Sequence, residues 1–245
     1  MDGFKRAGPL TNVASAQNNE VVSVKHSNRR VGLADYVYAF VKDMILDGQL
    51  GPCEAIQVEL LSKKLDVSRQ PIMEALKRLA LEGFVLILPQ VGCQVRHYSV
   101  EEITDFYRLF AKAEALIAEL LAERATSADI EMMTSISEQI GMLRTSNMNP
   151  SETGVQYRQL NRRLHFEMRR ASHSLPVAEV VETLGDRSDF FVASTGHNIF
   201  AQRLDRAHAQ HEAIIAAAKR RDPLAARQVM RQHILETAEH IRMKQ

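Results

Sequence analysis

The chain has 245 residues, 45% of them hydrophobic and 25% charged, with a formal net charge of +1. That length accommodates one or two domains with ordinary cores, and the near-neutral balance argues neither for nor against a polyanionic partner, since nucleic-acid binding depends on local basic patches as well as totals. Cys53 and Cys93 lack a C-x-x-C spacing and form no disulfide framework, no apolar run approaches the roughly 18 residues of a membrane span, and the N-terminus has no apolar signal core, so a reduced, cytoplasmic chain is expected.

Residues 1–30 are rich in Asn, Ser, Gly and Lys with little periodicity and read as a flexible tail ending in the basic run "KHSNRR", either plainly solvated or a DNA-contacting arm. From Val31 to Asp47, the spacing of Tyr36, Val37, Phe40, Val41, Met44 and Ile45 predicts a helix that Gly48, Gly51 and Pro52 end. "QVELLSKK" (57–64) is a second short helix and "LDV" a tight connection. Ser68 then suits an N-cap, and Pro71 falls in a first turn where its missing N–H costs nothing, so a third helix is predicted from Ser68 to Gly83. Its apolar stripe is Ile72, Leu76, Leu79 and Phe84. "FVLIL", "PQVG" and "CQVRHY" follow as strand, turn and strand.

Helix, helix, tight turn, helix and hairpin in that order describe a winged helix-turn-helix over residues 31–98. In such a unit the start of the second helix of the pair faces base edges and phosphates, which accounts for Ser68, Arg69 and Gln70 ahead of the apolar stripe, with Lys77 and Arg78 placed to meet phosphates further along. The alternative is that these residues only solvate a helix start.

Residues 99–245 carry almost no strand signal. Helical patterns over 101–125, 127–145, 152–172, 176–194, 198–221 and 223–242, broken by Pro150, Pro176 and Pro223, predict a six-helix, all-α bundle, too large for a simple dimerisation stub and able to hold a ligand cavity. Three of its histidines lie on apolar stripes. Asn161 and His165 are four apart beside Leu164 and Met168; His211 aligns with Leu204, Ala207, Ile215 and Ala218; His233 aligns with Met230, Thr237 and Ile241. One such histidine ordinarily reads as a satisfied core residue, but three on separate helices suit a shared divalent metal. Spacing leaves His208 as a competing ligand.

The stretch "LDVSRQPIMEALKRLALEGFVLILPQVGCQV" resembles the winged helix of the GntR transcription regulators. Ser68, Arg69, Pro71, Glu74, Ala75, Leu76, Glu82, Gly83, Pro89 and Gly92 fall in register with that pattern, which adds the wing residue Gly92 to the DNA-facing set. Cys53 stands where the family usually has Gly, Met73 replaces an arginine of the recognition helix, and Val91 replaces the common wing arginine. "AEALIAELLAERAT", "LNRRLHFEM" and "HEAIIAAAKRRDPLAARQVMRQHI" are similar to the FCD ligand domain of the FadR-type branch, and the helix count favours its VanR-like subgroup.

That resemblance implies a divalent transition metal, zinc or nickel, held by Asn161, His165, His211 and His233, with His208, His197 and His240 off the motif. Asn161 in place of the commoner Asp supplies a neutral oxygen. The family often has an arginine four residues before the Glu114 equivalent; here that position is Phe110, with Arg108 and Lys112 nearby as effector-contact candidates. The implied function is a homodimeric, ligand-responsive regulator, a repressor rather than an activator, that binds a near-palindromic double-stranded DNA operator and senses a small carboxylate, with residues 99–245 as its effector-binding and dimerisation domain. A metal-dependent helical hydrolase is the enzymatic alternative, disfavoured because there is no HExxH, no paired Glu-x-x-His and no positioned general base. A helical scaffold with structural histidines is the third; it would bind no metal and answer no effector.

Overall fold

The computed structural model describes the backbone of residues 17–195 and 198–243 and the side chains of residues 32–195 and 203–243. In chain order the elements are α1 (Gln17–Leu46), α2 (Val58–Leu65), α3 (Arg69–Leu81), β1 (Val85–Leu88), β2 (Gly92–Val95), α4 (Val100–Arg124), α5 (Ser127–Leu143), α6 (Pro150–Ala171), α7 (Leu175–Ala193), α8 (Asn198–Lys219) and α9 (Pro223–Arg242). Among the described residues no helix is long and apolar enough to cross a membrane.

The largest boundary difference from the sequence reading is at α1, the other helix ends lying within one or two residues of it. α1 starts at Gln17 rather than Val31, so the backbone of residues 17–30 belongs to this helix and not to the tail. Residues 1–16, the side chains of "KHSNRR" and His197 lie outside the described residues.

α1, α2, α3 and the hairpin form the first unit. Val37, Val41 and Ile45 of α1 and Ile72, Ala75, Leu76 and Leu79 of α3 are buried together, so the two helices bury facing apolar stripes. β1 and β2 pair antiparallel from Val85↔Val95 to Leu88↔Gly92, and Ala55 adds a bridge to Gln94. Ser68 occupies the N-cap position of α3 in extended conformation, yet its hydroxyl makes no capping hydrogen bond and stays exposed. Beyond α3 the chain turns at Gly83, with φ of 81°; an added Cβ there would lie 2.6 Å from the Tyr98 hydroxyl and 2.7 Å from Arg187 Nη2. The positive φ favours glycine, and a larger residue would also push aside the tips of Tyr98 and Arg187.

Among the described residues the second unit has the six helices expected, α4 to α9, and four of them start on clear signals. Ser99 with Glu102 and Thr126 with Asp129 form capping boxes, while Asn149 and Asp222 cap α6 and α9 just before Pro150 and Pro223. α4 packs chiefly on α9, α8 on α9 and α6, and α5 on α6 and α8.

The units join along α7. Phe190 meets Phe84 edge-on at 5.6 Å, and Phe191 meets Tyr98 at 5.1 Å and Phe106 at 5.0 Å. Polar clamps surround this cluster: Lys42 Nζ donates to Asp186 at 2.6 Å, Arg187 donates to the Glu82 carbonyl, and Arg158 of α6 donates to the Leu46 carbonyl and to Asp47.

Candidate metal centre and nucleic-acid interface

At the tip of the first unit, Ser68, Arg69 and Gln70 stand exposed where α3 begins. Arg69 is 73% exposed, and its contact with Glu59 is loose at 3.5 Å, which leaves the guanidinium available to an incoming polyanion. Lys77 is also exposed. Arg78 is placed differently: it pairs with Asp35 of α1, and its guanidinium carbon lies 4.2 Å from the Tyr38 ring centroid, so α1 already engages this cation. In the wing, Gly92 is exposed with φ of 143° and Val91 projects 80% exposed. Met73 packs half-buried against the core.

Within the bundle, α6, α8 and α9 bring His165, His211 and His233 together. One ring nitrogen from each lies within 4.8 Å of the other two, and ring centroids are 4.6 to 5.5 Å apart. All three are buried, because each sits on the apolar stripe of its helix. Asn161, one turn before His165, lines the adjoining cavity, and its Oδ1 accepts from the Tyr157 hydroxyl at 3.3 Å. His208 turns the other way, toward α5, where its Nδ1 lies 3.5 Å from Ser137 Oγ. Side-chain packing therefore selects His211 where helical spacing could not. His240 also lies off the centre, its Nδ1 3.1 Å from the Glu236 carbonyl.

The donor set fits a transition ion. Neither nitrogen of His211, which is fully buried, has a hydrogen-bond partner among the described residues. Leaving them without a partner costs free energy, and a coordinated cation would take up the lone pair of one of the two and recover that part of the cost. Gln210 Nε2 donates to Glu236 at 2.9 Å, which turns its carbonyl oxygen toward His233 Nδ1 at 3.0 Å. That oxygen only accepts, so Nδ1 carries the proton and Nε2 keeps its lone pair. Burial first, then the neighbouring imidazoles and Arg203, holds His211 and His233 well below the usual histidine range, in the neutral form that ligates metal. A bound zinc or nickel ion would find three nitrogens here, with the Asn161 oxygen one turn away.

Charged groups gather beside the histidines. Glu114 is buried on α4, 2.6 Å from Arg169 Nη2 and 3.6 Å from His165 Nδ1. Burial pushes its carboxyl up, but Arg169, with His165, outweighs this and holds it at about 2. Arg169 also donates to Glu182 at 2.9 Å, and Arg162 pairs with Asp186 at 3.2 Å and Asp189 at 3.0 Å. Asp189, by contrast, is raised by burial against the pull of Arg162 and Arg158.

Of the effector-contact candidates, only Phe110 lines the cavity. Arg108 and Lys112 occupy the outward face of α4, and Arg108 pairs there with Asp105 at 3.1 Å. Sequence reasoning missed Arg169, Gln210 and Arg203. The signal lay in the stripes: Arg169 continues Asn161 and His165 at four-residue steps, and Arg203 precedes Ala207 and His211 in the same way.

Comparison with known proteins adds independent findings. The FCD domain profile matches residues 105–236, and the profile of bacterial regulatory proteins of the gntR family matches residues 33–95. The chain is similar to the HTH-type transcriptional repressor GlaR of Escherichia coli (strain K12), 25% identical over 203 residues, or 81% of this chain and 90% of the relative. It is also 25% identical over 207 residues to the uncharacterized HTH-type transcriptional regulator YdhC of Bacillus subtilis (strain 168), covering 84% of this chain and 89% of that protein. Among solved structures, E. coli McbR/YncC has a similar fold, with a TM-score of 0.71 at 19% identity over 85% of this chain and 96% of that one.

Proposed function

This chain belongs to the gntR family of bacterial regulatory proteins, in the branch that carries an FCD domain, and from that premise we propose that it is a metal-containing repressor whose grip on DNA is set by a small carboxylate. DNA-binding transcription regulation, rather than catalysis, is the family's activity. The finer reading rests on one observation: three imidazoles from three helices converge in the interior, and one of them is buried with both nitrogens unpartnered.

In this reading His165, His211, His233 and Asn161 hold a divalent transition ion. When bound, the ion supplies positive charge and coordination positions that an acidic ligand can enter. The chain's own residues do the rest. Arg169 and Arg162 give the cavity a cationic wall already balanced by Glu114, Glu182, Asp186 and Asp189. Two copies of the winged helix, as a homodimer in the cytoplasm, dock Ser68, Arg69, Gln70 and the Gly92 wing on the half-sites of a near-palindromic operator. Ligand binding alters DNA affinity to the extent that it prefers one arrangement of the two heads.

The test is elemental and native mass analysis of protein purified without chelator, followed by operator binding with and without added carboxylates. About one transition ion per chain, a dimer mass and a carboxylate-dependent change in DNA affinity are expected. Metal-free protein that binds no added zinc or nickel would sink the metal reading; DNA affinity blind to every acid tried would sink the sensing.

A further inference from the structure

Arg203 is 6% exposed, lines the cavity beside His233, Asn161 and Phe110, and makes no salt bridge among the described residues. Its Nη1 donates to the Thr237 hydroxyl; its Nε and Nη2 are buried with no hydrogen-bond partner among the described residues. Every other arginine lining this cavity is matched, Arg162 by Asp186 and Asp189 and Arg169 by Glu114 and Glu182. The Glu236 carboxylate on α9 is already taken up by Arg206, Gln210 and Gln232. A guanidinium does not lose its charge at any ordinary pH, so burying it without an anion is costly unless an anion arrives.

Which edge is free matters chemically. Nε and Nη2 form the side-on edge of the guanidinium, two parallel N–H donors spaced to meet both oxygens of one carboxylate. Thr237 occupies only the far nitrogen and holds the side chain in place.

We propose that Arg203 is the effector anchor of this protein: its Nε/Nη2 edge receives the carboxylate of the ligand in a bidentate pair. This rests on the carboxylate-sensing reading above and adds the residue that recognises the anion. Phe110 supplies an apolar wall where the related pattern has an arginine, so the cation that meets the ligand comes from α8 instead of α4. Because α8 also carries His211, a ligand held by Arg203 bears on the helix that holds the histidine centre.

The experiment titrates zinc-loaded full-length protein with acetate, lactate, malate and citrate and with the neutral amide lactamide, following heat of binding and melting temperature in wild type, Arg203→Met and Arg203→Lys. Wild type is expected to bind at least one of the acids and not lactamide. Arg203→Met should weaken that binding by about tenfold to a hundredfold with its zinc content unchanged, and Arg203→Lys, which lacks the fork, should restore it only in part. Without ligand, Arg203→Met should melt no lower than wild type, because it removes an unpartnered buried charge. Acid binding retained in Arg203→Met overturns the anchor alone and leaves the sensing reading standing. A ligand-free Arg203→Met that melts well below wild type makes the guanidinium structural and also overturns it. Wild type that binds none of the acids overturns anchor and sensing together.

Discussion

The carboxylate of Asp186 on α7 accepts from Lys42 of α1 at 2.6 Å through Oδ2, a bond that ties the wall of the bundle cavity to the helix on which the DNA-reading unit is built. Its other oxygen accepts from Arg162 at 3.2 Å, also in that wall. Asp186→Asn is expected to lower unfolding stability by about 2 kcal/mol, since it weakens charge-assisted bonds to two partly buried cations. It should also cut the effect of ligand on operator affinity, compared at saturating ligand because Asp186 itself lines the ligand cavity. Operator titrations with and without ligand check this; an undiminished ligand effect would place the coupling elsewhere.

Arg69 and Arg78 should separate cleanly in DNA binding. Arg69→Ala is expected to weaken operator binding by about 1 to 3 kcal/mol if it makes a good bidentate base contact. Arg78→Ala should cost less there, because Asp35 and Tyr38 already occupy that guanidinium. Salt titrations of both variants, with circular dichroism as a folding control, give the comparison; equal losses would mean Arg78 leaves α1 when DNA arrives.

Metal content should depend on His211 and not on His208. His211→Ala is expected to lose most bound metal and the ligand response while still binding DNA, whereas His208→Ala, whose ring faces Ser137, keeps both. Metal analysis of the two purified variants decides it, and the opposite pattern would assign the centre to the wrong histidine.

Acid should unfold the metal-free protein in two windows. His211 and His233 are held below the ordinary histidine range in the folded state by burial and by each other's neighbours. The unfolded chain therefore takes up protons that the folded chain refuses, so the stability these groups contribute is complete above about pH 6.5 and falls below it, by at most about 1.4 kcal/mol per pH unit for each histidine. Glu114, held at about 2, adds a second loss as pH falls below the ordinary carboxylate range. Denaturant midpoints across pH 7.5 to about 2.5 should fall in wild type and fall less steeply near pH 6 in His211→Ala, which keeps only His233; identical slopes there would remove His211 as a cause.

Much of this architecture was legible because its signals are local. Pro71 and Gly83 bracket α3, and Pro150 and Pro223 sit just inside the starts of α6 and α9, each behind a capping Asn or Asp. Stripe positions found the three histidines. Spacing failed between His208 and His211, since residues three apart differ by only about 60° around a helix and the choice falls to the packing of α5. Arg203 stayed hidden because a charge on a helix stripe ordinarily reads as solvent-facing, and only the packing of the surrounding helices turns it inward, buried at the cavity wall. The early start of α1 was illegible for a different reason: residues 17–30 have no apolar period to announce a helix.

Gly83 stands where the two units meet. Tyr98 donates to its carbonyl at 2.9 Å, Arg187 crowds its α-carbon, and the aromatic contact of Phe84 with Phe190 follows at once in the chain. The recognition helix thus ends within a methyl's breadth of the bundle. A genetic screen for regulators deaf to their signal would be expected to return substitutions at this corner, far from both the operator and the histidines, because a side chain there would wedge the two halves apart and fix the angle between them.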